Sequence, residues 1–214
     1  MLTIDEYKGN PCRLSSLPYW KMKTFNFPDN LKVIHDIDYD GIKDNYGKDT
    51  RYFRLKHGFL NIEEPVLPKG FSYKEVNTDL ESELLDIVRI INESYDDIKV
   101  NLPQVQSWIE LDVFKKELWI FIEDDKLKEN IALGIAELDQ EVREGMLEWI
   151  QVLPDYRCRG FGHAIVTKLL LNMKTYADFV TVSGQVDNNT KPEKLYRRCG
   201  FTGNDIWHVI EAIR

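Results

Sequence analysis

The stretch from Leu147 to Gly162 reads Leu-Glu-Trp-Ile-Gln-Val-Leu-Pro-Asp-Tyr-Arg-Cys-Arg-Gly-Phe-Gly. Its apolar first half is typical of a strand that ends at Pro154, and a basic loop with two glycines follows. After Gly162, apolar residues recur at helical spacing, which predicts a helix that begins near this glycine. Glycines let a backbone approach a ligand closely, and the free N–H groups at a helix N-terminus attract an anion. The stretch therefore predicts a cradle for an anion such as a pyrophosphate.

Two better-known phosphate-binding loops do not fit this stretch. The Walker loop requires Gly-Lys followed by Ser or Thr, which is absent here. The dinucleotide-binding fingerprint requires a third glycine where this chain has Ile165. A nucleotide-binding regulatory domain is therefore disfavoured. From this stretch alone, a non-functional alternative to the anion cradle stays open: a tight turn in which the Arg157 and Arg159 side chains are exposed to solvent.

The sequence on either side predicts a mixed α/β fold. Three apolar runs joined by short polar turns are typical of an antiparallel meander, which then leads into a strand–helix–strand unit. Strands are predicted at residues 71–76, 118–122, 131–138, 146–153, 179–186 and 206–213. Helices are predicted from residue 80 to 91, at 105–109, from 162 to 173 and from 190 to 199.

Three further signals concern the ends of these helices. Two Thr-x-x-Glu patterns, Thr78 with Glu81 and Thr190 with Glu193, predict capping boxes at the starts of two helices. Gly200 follows the last apolar position of the short helix. We therefore expect it to end that helix in a left-handed conformation.

A second informative block begins 27 residues after Gly162. The stretch from Asn189 to Phe201 reads Asn-Thr-Lys-Pro-Glu-Lys-Leu-Tyr-Arg-Arg-Cys-Gly-Phe. Together the two blocks resemble the acetyl-CoA motifs of the GCN5-related N-acetyltransferase (GNAT) superfamily. The first block matches the pattern Arg/Gln-x-x-Gly-x-Gly/Ala at Arg157, Gly160 and Gly162. In the second, Pro192 replaces the usual alanine, in a first helical turn where proline is tolerated.

The resemblance covers roughly residues 71–214 and implies a GNAT acetyltransferase domain there, with two central strands splayed apart around acetyl-CoA as co-substrate. Strand backbone would face the pantetheine arm, main-chain N–H groups of the loop would hold the pyrophosphate, and an asparagine would contact the CoA arm. The residues expected to contact acetyl-CoA are Ile150, Gln151, Val152, Arg157, Cys158, Arg159, Gly160, Phe161, Gly162, His163, Asn189 and Tyr196.

The resemblance also implies an N-acetyltransferase reaction by direct attack of a primary amine. The amine must first lose a proton, and the departing thiolate must gain one. Tyr196 matches the family's tyrosine acid. For the base, Glu148 is the first candidate because strict alternation places it on the same side of its strand as Ile150 and Val152. Glu137 on the preceding strand and a chain of waters stay open as alternatives.

The subclass and the acceptor are less constrained. Some relatives that acetylate protein N-termini carry a glutamate five residues before the asparagine, where this chain has Gly184. We expect a small-molecule or peptide amine as the acceptor. The alternative function is a non-catalytic acyl-CoA-binding or sensing module on the same fold.

Composition narrows the class of protein further. The net charge of −8 argues against general nucleic-acid binding, because a phosphate backbone attracts the opposite sign. The sequence begins without the apolar stretch of a signal peptide and contains no apolar run of about 20 residues, so neither secretion nor membrane insertion is expected. Three widely spaced cysteines argue against a disulfide framework or a zinc site and fit a cytoplasmic protein.

Residues 1–70 differ from the rest of the chain. They contain five of the eight prolines and show no clean helical period. We interpret them as an N-terminal extension of unknown role that lies outside the core, with residues 14–20 as its best-ordered part. The extension either covers the acceptor side of the wedge or mediates self-association as a homodimer.

Overall fold

The computed structural model of the chain describes residues 2–41, 46–95 and 98–212. Its strands are β1 (Leu31–His35), β2 (Tyr46–His57), β3 (Phe71–Glu75), β4 (Trp119–Asp124), β5 (Glu129–Asp139), β6 (Glu144–Val152), β7 (Phe179–Gln185) and β8 (Thr202–Ala212). Its helices are α1 (Ile4–Gly9), α2 (Pro11–Leu14), α3 (Tyr19–Thr24), α4 (Glu81–Ser94), α5 (Leu102–Ile109), α6 (Phe161–Met173) and α7 (Pro192–Arg198).

The eight strands form one mixed sheet in the order β1-β8-β2-β7-β6-β5-β4-β3. Over the described residues, β6 and β7 are the parallel neighbours and all other neighbouring strands are antiparallel. The predicted mixed α/β class, the meander β4-β5-β6 and the strand–helix–strand unit β6-α6-β7 are confirmed. The predicted last strand extends to residue 213, which lies outside the described residues.

The sheet has a helical layer on each face. Alternate residues of β5 belong to two separate apolar cores, because successive side chains of a strand point to opposite faces. Ala136 packs with α6, whereas Ile135 packs with α4 and α5. Glu137 follows Ile135 on that second face and accepts a hydrogen bond from Trp20 of α3. The short N-terminal helices therefore cover the α4–α5 face, next to those two helices.

The expectation that residues 1–70 lie outside the core is wrong. Strand β2 lies between β7 and β8 in the middle of one half of the sheet, and β1 pairs with the other side of β8. Phe53 and Leu55 of β2 are buried in the core that packs on α6. Phe53 pairs with Gly184, where an added Cβ would approach the ring to 2.6 Å. The extension is distinct in sequence but is an integral part of the sheet.

A buried polar cluster attaches the N-terminal helices to the sheet. Glu144 at the start of β6 is fully buried and forms a salt bridge with Arg54 of β2 at 3.3 Å. It also accepts hydrogen bonds from the hydroxyls of Tyr7 (2.8 and 2.9 Å) and Thr181 (2.6 Å), and from the backbone N–H of Tyr19 (3.2 Å). Burial raises the pKa of Glu144, and the Arg54 guanidinium and these donors oppose that rise.

The first predicted capping box is wrong. Helix α4 begins at Glu81 with Leu80 as its N-cap residue, and no side chain caps it. The reason lies three residues before this N-cap, where the Asn77 side chain accepts the backbone N–H of Asp79 at 3.1 Å and forms a turn that delays the helix. Thr78 lies within that turn and not at the cap.

The second predicted capping box is also wrong, although the end of the helix is as expected. Asn188 accepts both the backbone N–H and the hydroxyl of Thr190, so this hydroxyl does not cap α7. Lys191, at φ +51°, is the N-cap residue, and Pro192 is the first helical residue. Gly200 has φ +94°. Its N–H and that of the next residue close a Schellman motif on the last turn.

Candidate active site

The two central strands separate where the candidate site begins. Leu147 of β6 and Val182 of β7 form their last pair, although β6 continues to Val152 and β7 to Gln185. We call the space between these two extensions the wedge. A cavity of about 160 Å³ opens at its base, lined by β6, β7, Arg54 of β2, and residues 16–18 and Lys21 of the N-terminal segment. The expectation of two splayed central strands is confirmed.

A β-bulge lies at the point where the strands part. The pairs on either side of it are Ala136 with Leu147 and Ile135 with Trp149, so Glu148 is an extra residue in β6. A bulge interrupts the regular alternation of side chains and turns a side chain towards the face that it would otherwise avoid.

The bulge changes the position of the first candidate base. Ile150 and Val152 pack against the core on the α6 face. Glu148 instead forms a salt bridge with Lys21 of α3, on the face that the N-terminal helices cover. The expectation that Glu148 shares a face with Ile150 and Val152 is therefore wrong, because one inserted residue shifts the alternation. Glu148 nevertheless lines the cavity at the base of the wedge.

Glu148 and the second candidate, Glu137, form a carboxylate pair. The Lys21 ammonium lies 2.7 Å from Glu148 and 3.8 Å from Glu137, and the Trp20 indole N–H donates to Glu137 at 3.1 Å. Burial, reinforced by the neighbouring Glu148 carboxylate, raises the pKa of Glu137 to about 8, although Lys21 and Trp20 oppose the rise. Glu137 therefore keeps its proton until the pH rises through about 8, which leaves Glu148 as the carboxylate of the pair that can accept a proton at neutral pH.

Tyr196 lies on α7 and is buried in the α6-side core, with Phe53 and Phe201 as ring neighbours at 6.1 and 5.8 Å. Burial raises the pKa of its phenol, and the charges of Tyr95 and Glu148 contribute to that rise. The hydroxyl is thus protonated at neutral pH and is close enough to Glu148 to respond to its charge. A protonated phenol of this kind can donate a proton.

Tyr95 and Lys21 are neighbours of the site that the sequence did not reveal. The Tyr95 hydroxyl accepts a hydrogen bond of 2.8 Å from the Gln151 side chain, so Gln151 positions it beside the wedge. Tyr95 directly follows the last residue of α4 and belongs to no periodic pattern. Lys21 is a charged residue on a six-residue helix, and the sequence indicated only that the adjacent segment is ordered.

The basic loop has the geometry expected of an anion cradle. Helix α6 begins at Phe161 with Gly160 as its N-cap residue, and no side chain caps it. The first backbone bond of the helix runs from the N–H of Ala164 to the carbonyl of Gly160. The N–H groups of Phe161, Gly162 and His163 therefore have no acceptor within the helix. Gly160 has φ +89°, and no atom lies within 4 Å of the position that a Cβ would occupy.

The two loop arginines have different surroundings. Arg157 donates to the backbone carbonyls of Val152 and Ser94, each at 3.1 Å, so it connects β6 to the end of α4. Its guanidinium is therefore engaged by the chain, which disfavours the expected electrostatic role. The Arg159 guanidinium lies over the Tyr156 ring at 5.2 Å. Cys158 is exposed at φ +62°, as a loop residue.

The remaining predicted contacts lie at the start of α6 and in the turn before α7. His163 lies in the first turn of α6 and is partly buried. Asn189 is exposed in the turn that connects β7 to α7, and not on the last helix as expected, because α7 begins only at Pro192. Gly162 faces Leu195 of α7, whose Cδ2 lies 3.2 Å from a Cβ position at this glycine. The loop and the last helix thus meet at the open end of the two strands.

The comparisons with known proteins agree with this arrangement. Residues 115–203 match the family model described as an acetyltransferase (GNAT) domain, and this range includes β4 to α7 and both sequence blocks. Over these residues the chain is similar to GNAT acetyltransferase domains. A sequence search of curated proteins finds no match.

Solved structures of low sequence identity share the fold. A GCN5-related N-acetyltransferase from Sphaerobacter thermophilus superposes with a TM-score of 0.65 at 15% identity, over 78% of this chain and 52% of that one. One from Kribbella flavida gives 0.57 at 12% identity, over 86% and 68%. A GNAT-family acetyltransferase from Colwellia psychrerythraea gives 0.58 at 14% identity, over 79% and 59%. The chain spans about half the length of the first of these structures.

The matched residues and the shared fold are thus similar to those of GNAT acetyltransferases. Across the described ranges, His, Cys, Asp and Glu side chains form no group of three that could hold a metal ion. No helix in the described part of the chain is long and apolar enough to cross a membrane.

Proposed function

We propose that the chain is an acetyl-CoA-dependent N-acetyltransferase that transfers the acetyl group to a primary amine by direct attack. The observation that carries this proposal is the convergence of three features on one wedge. A carboxylate pair and a buried phenol lie where the strands part, and an uncapped helix N-terminus lies at their open end. Each feature matches one requirement of the reaction: a proton acceptor, a proton donor and a binding place for the pyrophosphate.

The chain's own backbone supplies the donor site. On the side facing β7, the segment from Glu148 to Val152 has no strand partner among the described residues. Apart from the Val152 carbonyl, which accepts from Arg157, its backbone groups on that side are available to an amide-containing arm. The N–H groups of residues 161–163 point out of the start of α6 and favour an anion there. Acetyl-CoA carries both an amide-containing pantetheine arm and a pyrophosphate, and would supply the activated acetyl group when bound.

The carboxylate pair prepares the acceptor amine. A primary amine is mostly protonated at pH 7 and must lose a proton before it attacks the thioester. Glu148 is within reach of a cation at the base of the wedge, as its 2.7 Å contact with the Lys21 ammonium demonstrates. Glu137 shares that cation, and its pKa, raised to about 8, keeps it protonated at neutral pH, so Glu148 is the member of the pair that accepts the abstracted proton.

Tyr196 is the proposed acid for the CoA thiolate. Its phenol remains protonated because burial raises its pKa. A thiolate leaving group gains a proton most easily from a donor that is fixed in position, and the packing of Tyr196 between Phe53 and Phe201 fixes the ring.

One observation favours a second candidate function, a non-catalytic acyl-CoA-binding module. Lys21 already occupies the carboxylate pair, and α3 covers the face from which an acceptor would approach. In this alternative the wedge would bind an acyl-CoA while the covered face excludes an acceptor.

A panel of amines distinguishes the two functions. The chain is incubated with acetyl-CoA and each amine, and release of the CoA thiol is measured. The proposed function predicts thiol release that depends on the amine and falls strongly in Tyr196→Phe, whereas Tyr176→Phe, at an exposed tyrosine near the far end of α6, is the matched control. Binding of acetyl-CoA without amine-dependent thiol release would favour the module.

A further inference from the structure

Lys21 is a primary amine that the chain itself places at the base of the wedge. Its ammonium is 2.7 Å from Glu148 and 3.8 Å from Glu137, and the residue lines the same cavity as Leu147 and Val182, the last pair before the strands separate. These are the positions and contacts that the proposed reaction requires of an acceptor amine.

The neighbours of Lys21 on α3 hold it in this position. The backbone N–H of Tyr19 donates to the buried Glu144, and the indole N–H of Trp20 donates to Glu137. Lys21 follows directly and also lies over the Trp20 ring at 5.2 Å. Fixing an amine next to its reaction partner removes most of the entropic cost of bringing the two together.

The next lysine on the same helix offers a natural comparison. Lys23 is more exposed than Lys21, with 40% of its side chain accessible against 27%. It lies over the Tyr19 ring and forms a salt bridge with Glu141, and it does not line the cavity. A reagent in solution would therefore modify Lys23 at least as readily as Lys21, whereas a reaction inside the wedge would select Lys21.

We propose that the chain acetylates its own Lys21, taking the acetyl group from acetyl-CoA bound in the wedge. This inference rests on the proposed function, because it uses the same donor site and the same carboxylate pair. It adds a specific acceptor within the chain and assigns α3 the role of presenting that acceptor.

The proposed step balances in atoms and charge. The Lys21 ammonium first gives one proton to Glu148, and the free amine attacks the thioester carbonyl. A C–N bond forms, the C–S bond breaks, and the products are an amide on Lys21 and CoA. The nitrogen loses two protons in all: one passes through the carboxylate pair to solvent, and the other ends on the sulfur, by way of Tyr196. No oxidant or further reactant is needed.

The test follows the appearance of the acetyl group on the intact, full chain. The chain is incubated with isotope-labelled acetyl-CoA, and peptides are mapped by mass spectrometry over time. We expect label at Lys21 at a rate about tenfold or more above that at Lys23, and a rate per molecule that does not change on dilution. Lys21→Arg keeps the positive charge but cannot accept the group, so the dominant label should disappear. Lys23→Arg is the matched control and should keep it.

Thermal unfolding with and without acetyl-CoA is measured on the same samples. It distinguishes failure of the self-acetylation from failure of the proposed acetyltransferase function on which it rests. A thermal shift with no preferential label at Lys21 overturns the self-acetylation and leaves the proposed function standing. Equal labelling of Lys21 and Lys23, or a rate per molecule that rises with protein concentration, also overturns it. Absence of both the thermal shift and transfer to any amine removes the proposed function itself.

Discussion

Replacing Glu137 with glutamine removes one carboxylate of the pair and nearly preserves the volume of the side chain. Burial, together with the neighbouring Glu148, raises the pKa of Glu137 from 4.5 to about 8. The folded chain therefore holds a proton that the unfolded chain has released. The stability that this proton contributes is complete below the unfolded pKa of 4.5 and is lost as the pH rises through about 8.

The size of the effect follows from the width of that window. One pKa unit corresponds to about 1.4 kcal/mol, so the whole shift corresponds to at most about 5 kcal/mol. Between about pH 5.5 and about pH 8.5, the wild-type chain should lose about 3 kcal/mol of its free energy of unfolding through this group alone. The glutamine variant carries no proton there to lose, and its stability should change correspondingly less over the same range.

Urea unfolding followed by tryptophan fluorescence at both pH values measures this difference. Glu141→Gln is the control, because Glu141 is an exposed carboxylate nearby that pairs with Lys23. It should show the same pH dependence as the wild type. Equal losses of stability in wild type and Glu137→Gln would refute the raised pKa and, with it, the assignment of Glu137 as the protonated member of the pair.

Three further outcomes are expected. Tyr196→Phe should lower turnover by about 10²- to 10⁴-fold while the Kd for acetyl-CoA stays nearly unchanged, as measured by thiol release and calorimetry. An unchanged turnover would exclude the proposed acid. Gly160→Ala should cost about 1–2 kcal/mol in conformational strain, since φ is +89°, and should weaken acetyl-CoA binding in the same calorimetric assay. Arg54→Met should destabilise the chain to chemical unfolding by about 3–5 kcal/mol, because it leaves Glu144 buried without its countercharge. Adding Glu144→Gln should recover part of that loss.

The sequence predicted the GNAT portion of the fold well because its signals are local. The meander strands alternate or are continuously apolar, and the glycine positions in the basic loop and at residue 200 mark real changes of backbone direction. Gly160 and Gly200 both adopt positive φ, as close approach and helix termination require. These elements can be predicted without knowing which distant residues they pack against.

The N-terminal strands could not be predicted in the same way, because what orders them is remote in sequence. Strand β2 contains Arg54, and arginine is a residue type that is rarely buried unless it is paired. Its guanidinium is buried only because Glu144, 90 residues away, and the Tyr7 hydroxyl accept from it. Phe53 and Leu55 supply the apolar face of the strand, but two alternating positions within a charged stretch give too weak a signal.

The site was predicted in its residue types more than in its arrangement. Tyr196 and the two glutamates were named, yet the face on which Glu148 lies depends on one extra residue in β6. A bulge cannot be recognised from the alternation of apolar and polar residues, because a single inserted residue only changes which of the following positions face each side of the sheet. Lys21 lies at the site because α3 packs against the sheet, and no local sequence pattern indicates that packing.

Isothermal titration calorimetry of the full chain with acetyl-CoA tests the central claim most directly. We expect one binding site with an affinity in the micromolar range and weaker binding in Gly160→Ala. Both expectations follow from the unpaired backbone N–H groups at the start of α6, which would bind the pyrophosphate. Absence of any binding heat, together with an unchanged unfolding temperature in the presence of acetyl-CoA, would contradict the assignment of the wedge as an acetyl-CoA site.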